Sequence, residues 1–251
     1  MAGDDELLIG DDEPDDRLAT AEPNPRSIFD GAARAALVEV LGDDVGFDEP
    51  MRRHTTARIG GPADAFAWPS SHVRLAALLA WCAEHRVPIT VVGGGSNLLV
   101  RDAGIRGVVL NTSRLRGLTL TSPTTIEVEA GTPTSKLLQL ALKHDLGGLE
   151  FLGGVPGSVG GGLIMNAGTY LGEFTSVVTW VESVRLADAT TVRRDHAACG
   201  FRYRGSDLPP DELVTRAGLT LRPRPRAEAD AEIRELRARR AAREPKKVAS
   251  N

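Results

Sequence analysis

The sequence predicts an α+β chain built from two subdomains, and three observations lead there. Its 251 residues, 41% hydrophobic and 25% charged, leave room for a sizeable core, at roughly 100 to 200 residues per domain. A helix-periodic stretch followed by short apolar strands fills the first half of the expected folded region. In the second half alternating strands outnumber helices, so pairing there is expected to be more antiparallel.

Residues 1–26 carry nine acids against two arginines, with three prolines and little apolar content. Such a segment cannot offset the entropy of ordering and reads as a disordered acidic tail. A short amphipathic helix is expected through Ala32 to Leu41, with the folded body beginning near His54. Ser70 or Ser71 then caps a helix in which Leu75, Leu78, Leu79 and Cys82 recur at helical spacing. Pro88 marks the start of a buried strand through Ile89 to Val92, and Gly107 to Leu110 reads as its parallel neighbour. Thr125 to Ala130 alternates as a strand, Pro133 to His144 reads as a helix, and Val178 to Leu186 with Thr190 to Arg193 reads as a β-hairpin. A last strand, Leu213 to Leu221, is expected to stop at Pro223. Ala227 to Arg243 forms a charged helix whose main large apolar residues are Ile233 and Leu236, which marks it as a connector. The subdomains are therefore expected at 27–115 and 116–223, with a connector over 224–251.

Several function classes are excluded at this stage. No apolar run approaches the ~18 residues of a membrane span, so no membrane partner is expected. The start, MAGDDELLIGDDEPDD, has neither the basic opening nor the apolar centre of a secretory leader, and a cytoplasmic chain is expected. Net charge is -4, yet residues 224–247 hold nine bases against five acids. Those bases sit among acids at helical spacing without interleaved aromatics, so they read as a solvated helix and not as a nucleic-acid interface. Of the thirty basic residues 26 are arginine, which reads as genome composition before function. Cys82 and Cys199 cannot form a disulfide framework, and without CxxC spacing or clustered histidines they suggest no metal site. Both read as buried small residues.

Two glycine-rich segments carry the chemistry. Val91 to Leu99, VVGGGSNLL, places three glycines directly after a strand, where the backbone can take positive φ and bring its N–H groups close to an anion. Ser96 and Asn97 add side-chain donors, and a phosphate is the natural occupant, with a flexible turn as the plainer alternative. The segment matches neither the Rossmann fingerprint nor a Walker loop. Leu149 to Gly168, LEFLGGVPGSVGGGLIMNAG, has seven glycines in twenty residues. Close approach by a flat ligand, or tight helix packing against a sheet, would each account for them. Lying about sixty residues apart, one on each expected subdomain, the two segments suggest a long dinucleotide across the junction.

HTTARIGGPA (54–63), GGGSNLLVRDAGIRGVV (93–109), GLEFLGGVPGSVGGGLIMNAG (148–168) and FRYRGS (201–206) together resemble, in order and spacing, the UDP-N-acetylenolpyruvoylglucosamine reductase (MurB) family over about residues 50–251. The resemblance implies the FAD-binding fold shared with vanillyl-alcohol oxidase, followed by a separate substrate-binding domain. It implies non-covalently bound FAD, with Val92, Gly93, Gly94, Gly95, Ser96, Asn97 and Leu98 at the pyrophosphate. Gly154, Val155, Pro156, Gly157, Ser158, Gly160, Gly161, Asn166, Ala167 and Gly168 are then expected to line the flavin. The implied reaction reduces the enolpyruvyl ether of UDP-N-acetylglucosamine to UDP-N-acetylmuramate in peptidoglycan synthesis, with NADPH as electron donor, in a protein monomeric when intact. Arg204, with Tyr203 beside it in the FxYRxS pattern, falls at the family's catalytic arginine and is expected to touch substrate. A fixed guanidinium there stabilises the negative charge that hydride addition pushes toward the substrate carboxylate. Arg202 is expected in a surface ion pair instead.

Two family features have no counterpart in the sequence. The family's proton-donor serine lies in a motif like AGSxFKNP just after a helix similar to Ala227 to Arg243, and an acidic partner follows later. Here the sequence reads VASN, so Ser250 is not expected to be the donor, and the third, substrate-clamping domain is expected to be missing. Little reductase activity is expected of these 251 residues alone. A flavin oxidase of the wider superfamily and a noncatalytic flavin-binding remnant are the competing readings, the first disfavoured by FRYRGS and by the unconvincing contexts of His54 and His72 as tethering residues.

Overall fold

The computed structural model describes residues 27–243; the expected acidic tail and the stretch holding Ser250 and Asn251 lie outside the described residues. Helix α1, Gly31–Leu41, opens at Asp30, whose carboxylate accepts from the Ala33 N–H at 2.8 Å, and closes on Gly42 at φ +58. Strand β1, Val45–Pro50, follows and pairs antiparallel with β2, Pro62–Ala67. Organised structure therefore begins well before His54, contrary to expectation. The strand signal in β1 is masked by Asp48 and Glu49, which are buried only because Arg34 reaches Asp48 at 2.8 Å and His54 reaches Glu49 at 2.9 Å.

Ser71, not Ser70, caps helix α2, His72–Glu84, accepting from the Arg74 N–H. Ser70 instead donates its hydroxyl to Asp44 at 2.6 Å. Burial raises the pKa of Asp44, but the Ser70 hydroxyl and amide with Arg114 and Arg74 outweigh it and hold the carboxyl below its usual range. Strands β3, Ile89–Val92, and β4, Ile105–Asn111, run parallel, completing a sheet of order β1-β2-β4-β3. The apolar stripe of α2, Leu75, Leu78, Leu79 and Cys82, packs with Leu37 and Leu41 of α1 and with Val108 and Leu110 of β4. Strand β3 is an edge strand, not the fully buried one expected, and its Val91 is exposed.

The second sheet is antiparallel throughout, in the order β11-β10-β12-β6-β5. Its members are β5, Leu118–Ser122, β6, Thr125–Glu129, the hairpin β10, Val178–Arg185, with β11, Thr191–Asp195, and the long β12, Glu212–Thr220. Between them lie helix α3, Thr134–Lys143, the two-residue β7, Leu146–Gly147, the short helix α4, Val159–Ile164, and the two-residue strands β8, Gly168–Thr169, and β9, Gly172–Glu173. Leu137, Leu138 and Ala141 of α3 bury with Ile126, Val128, Phe151 and Phe174. Strand structure stops at Pro223 as expected, although in two pieces: β12 ends at Thr220, and Arg222–Pro223 forms β13, which pairs with β7. Such a two-residue edge ribbon asks little of the missing proline N–H.

Helix α5, Arg226–Arg243, buries Ala229, Ile233 and Leu236, and Ile233 lies against Gly153. Arg224 locks its base, pairing with Glu150 at 2.7 Å and Glu232 at 2.8 Å. The two sheets meet where Leu213, Val184 and Leu186 of the second pack into the core of the first. Cys82 and Cys199 are both buried free thiols, and burial pushes the Cys82 thiol up to about 12. Among the described residues no helix is long and apolar enough to cross a membrane, and no group of acids, cysteines and histidines is arranged to hold a metal ion.

Candidate functional site

A cavity of about 1010 Å³ opens where the two glycine-rich segments face each other. Gly93, Gly94 and Gly95 leave the edge of β3, with Gly95 at φ +66; a Cβ there would sit 1.9 Å from the His54 carbonyl oxygen. The Thr56 N–H donates to the Gly95 carbonyl at 3.1 Å, so the 54–63 segment is the support on which this loop rests. Asn111 fastens the other side, donating from Nδ2 to the Gly93 carbonyl at 3.1 Å. The loop then touches the second segment directly, since a Cβ on Gly94 would lie 2.8 Å from Gly157 Cα.

The glycines of α4 divide by direction. A Cβ on Gly160 would meet Ala130 at 2.8 Å, and one on Gly162 would meet the Phe174 ring at 2.4 Å, so both allow tight packing on the sheet. All three line the cavity, but only at Gly161 would a Cβ find room, its nearest neighbour being Ser158 Oγ at 3.7 Å. Tight packing therefore accounts for Gly160 and Gly162, and Gly161 is left facing open space. Ser158 is only 8% exposed, and its hydroxyl has no hydrogen-bond partner among the described residues although it lines the same cavity. A buried hydroxyl left unpaired is costly, and a ligand acceptor would satisfy it.

Arg204 reaches the cavity from a tight turn. Arg202 and Gly205 exchange backbone hydrogen bonds at 2.9 and 3.1 Å, leaving Tyr203 and Arg204 as the two tip residues, with Arg204 at φ +59. Among the described residues its guanidinium makes no ion pair and lies 5.6 Å from the Tyr203 ring centroid. Arg202 does form the expected surface pair, with Asp207. Two bonds tie the turn to the cavity wall: Asn166 Nδ2 donates to the Arg202 carbonyl at 3.1 Å, and Ser206 Oγ donates to the Ile164 carbonyl at 3.0 Å.

Most residues singled out from the sequence come together here. Val92 through Leu98, Gly154 through Pro156, Ser158, Gly160, Gly161, Ala167, Gly168 and Arg204 all line the cavity. Three do not: Gly157 faces an adjoining cavity, Asn166 is 1% exposed with its side chain turned away into hydrogen bonds, and Tyr203 stands 84% exposed outside the wall. Sequence reasoning missed the arginines of α5. Arg239, Arg240 and Arg243 line the cavity together with Leu236, and Arg239 stacks 5.0 Å from the Tyr170 ring. Their 3, 4 and 7 spacing from Leu236 was the available signal, obscured by the many charges around them.

Ile89, Val91, Leu186 and Val214 add apolar lining, and Glu212 lines the cavity as well. Arg194 grips Glu212 through two bonds at 2.6 and 2.8 Å, and this contact holds the carboxyl below its usual range against the opposing effect of burial. The lining thus combines arginines, glycine backbone and apolar side chains. Such a lining suits an extended ligand carrying phosphates and flat rings.

The comparisons with known proteins agree with that geometry. A family described as "FAD binding domain" matches residues 63–194. A UDP-N-acetylenolpyruvoylglucosamine reductase of Anaeromyxobacter dehalogenans is 44% identical over 198 residues, which are 79% of this chain and 60% of the relative. One from Caldanaerobacter subterraneus subsp. tengcongensis is 40% identical over 83% of this chain and 69% of its own length. The crystal structure of the reductase MurB from Thermus caldophilus superposes with a TM-score of 0.69 at 34% identity, covering 80% of this chain and 71% of that one. The chain thus spans less than two thirds of the length of its Anaeromyxobacter relative.

Proposed function

Because the chain belongs to the UDP-N-acetylenolpyruvoylglucosamine reductase family, we propose that it provides the flavin-holding part of an FAD-dependent, NADPH-linked reduction of the enolpyruvyl ether of UDP-N-acetylglucosamine to UDP-N-acetylmuramate. The observation that carries this reading is the meeting of two glycine segments around one cavity that is also lined by Arg204, which has no ion pair among the described residues. We place the reaction in the cytoplasm, with small molecules as the partners of a monomeric protein.

The residues present fit FAD. Gly161 offers open space where any side chain would intrude, and the Ser158 hydroxyl awaits an acceptor. Gly93 through Leu98 and Gly154 through Gly168 would hold the cofactor, without covalent attachment. When bound, FAD supplies the capacity to accept hydride from NADPH and deliver it to the substrate's vinyl carbon. The protein's part is electrostatic and positional. Arg204, free of any acidic partner among the described residues, keeps its full charge for the substrate carboxylate, where negative charge builds as the double bond is reduced. Arg240 and Arg243 add positive charge to the cavity lining, beside Arg239, which pairs with Glu235, and this charge favours entry of polyanionic nucleotides.

The test uses a full-length family member, or this chain with the family's C-terminal region joined to it. Arg204→Ala should leave flavin reduction by NADPH within about twofold, while slowing reoxidation by the enolpyruvyl substrate by roughly 10²-fold or more, the usual cost of removing a preorganised charge from a developing anion. Stopped-flow absorbance separates the two half-reactions. Equal losses in both would mean that Arg204 holds structure or nicotinamide, and this assignment would fall.

A further inference from the structure

Asn166 ends helix α4 in the left-handed conformation, φ +41, and a residue at such a helix end is commonly glycine, with asparagine second. Helix termination alone explains its backbone. It does not explain its side chain, which is 1% exposed and uses both ends: Oδ1 accepts from the Thr175 N–H at 2.9 Å, and Nδ2 donates to the Arg202 carbonyl at 3.1 Å. One amide thereby joins the wall of the cleft, the start of β10's approach and the turn that presents Arg204. That turn is otherwise held across to the wall by a single side-chain bond, Ser206 to Ile164.

On the reading of Arg204 given above, we propose that Asn166 is a positioning residue: its carboxamide fixes the Arg202–Gly205 turn against the cleft wall and so sets where the Arg204 guanidinium stands. The turn needs such an anchor because its tip is strained, with a non-glycine residue at φ +59, and exposed. Ser206 constrains the turn's exit, and Asn166 constrains its entry. Without the second bond the turn can pivot about the first, carrying the guanidinium off the cleft.

The FAD-loaded chain tests this through two variants. Asn166→Gly keeps the left-handed backbone without strain and removes both side-chain bonds. Asn166→Asp keeps the acceptor for Thr175 but, once ionised, cannot donate to the Arg202 carbonyl; protonated, its carboxyl O–H can. The readouts are hydrogen-exchange protection of the Gly205 amide, which donates to Arg202 across the turn, and the Arg204 Nε–H resonance, assigned by its loss in Arg204→Lys. In Asn166→Gly, Gly205 protection should fall about fivefold to tenfold at every pH, the worth of one lost hydrogen bond, and the Arg204 resonance should shift. In Asn166→Asp the same changes should be present near neutral pH and should reverse as pH falls through the introduced carboxyl's pKa, and in both variants the fall at Gly205 should exceed any fall at Val128 in the sheet core.

Unchanged Gly205 protection in both variants would overturn the proposal. So would a pH-independent loss in Asn166→Asp, or a loss shared equally by Val128, since either would make Asn166 a plain structural residue. The outcome does not depend on substrate chemistry. The anchoring can therefore fail while Arg204 keeps its assigned part in the half-reaction experiment, and the reverse can also occur.

Discussion

Arg204 takes a conformation that glycine adopts freely and that costs a side chain about 1 kcal/mol or more. Nothing in the packing of the turn demands an arginine there, since the side chain is exposed and makes no ion pair among the described residues. Strain kept at a position with no structural return points to a use for the charge. Arg204→Gly should therefore stabilise the chain by up to about 1 kcal/mol, net of the entropy that glycine adds to the unfolded state, or leave it unchanged. Thermal denaturation checks this; a clear drop in melting temperature would mean the arginine supports the fold through contacts not evident in its surroundings.

At the scale of elements, one charged cluster ties three strands of the antiparallel sheet, beside a second in which Arg216 pairs with Glu182 and Glu127. Glu212 begins β12, Arg194 reaches it from β11, and Ser183 of β10 donates to the same carboxylate, so a single group pins three strands. Its folded-state pKa is depressed, chiefly by Arg194, so its stabilisation is fully present above the unfolded carboxylate value of about 4.3 and is lost as pH falls through the lower folded value. Glu212→Gln should cost about 1–3 kcal/mol near neutral pH, and parent and variant melting temperatures should converge on acidification below about pH 4. A gap that persists unchanged in acid would remove this account of the cluster.

The same scale shows what a reader of the sequence can and cannot see. Helix α2, the β10–β11 hairpin and the parallel pair β3 and β4 were legible because their apolar spacing is local and uninterrupted. Strand β1 was not, because its buried Asp48 and Glu49 are compatible with a core only through partners on α1 and at His54. In the cleft, the backbone-lined stretches announced themselves by their glycines. The α5 arginines did not, because their significance lies in which way they face, and Ser158 was named only through the family resemblance, without the unpaired hydroxyl that the fold gives it. Asn166 was legible as a position near the cleft, but its bond to a turn 36 residues away is a fact of tertiary structure alone.

For the whole molecule, the central claim is that FAD occupies the cleft between the two glycine segments, resting against Gly161. This glycine separates ligand space from packing space. Among the described residues a Cβ there would have its nearest neighbour at 3.7 Å, in contrast to Gly160 and Gly162 on either side. Replacing a helical glycine by leucine should itself stabilise the helix by up to about 1 kcal/mol while filling the cleft. The most direct measurement is FAD titration, followed by quenching of flavin fluorescence, on the parent chain and on Gly161→Leu, with a melting curve for each apoprotein. The expected result is a parent that binds FAD and releases it on denaturation, and a variant that binds at least about tenfold more weakly, a loss of ~1.4 kcal/mol, without a lower melting temperature. Equal FAD affinity in the two proteins, or a parent that quenches no flavin fluorescence, would contradict it.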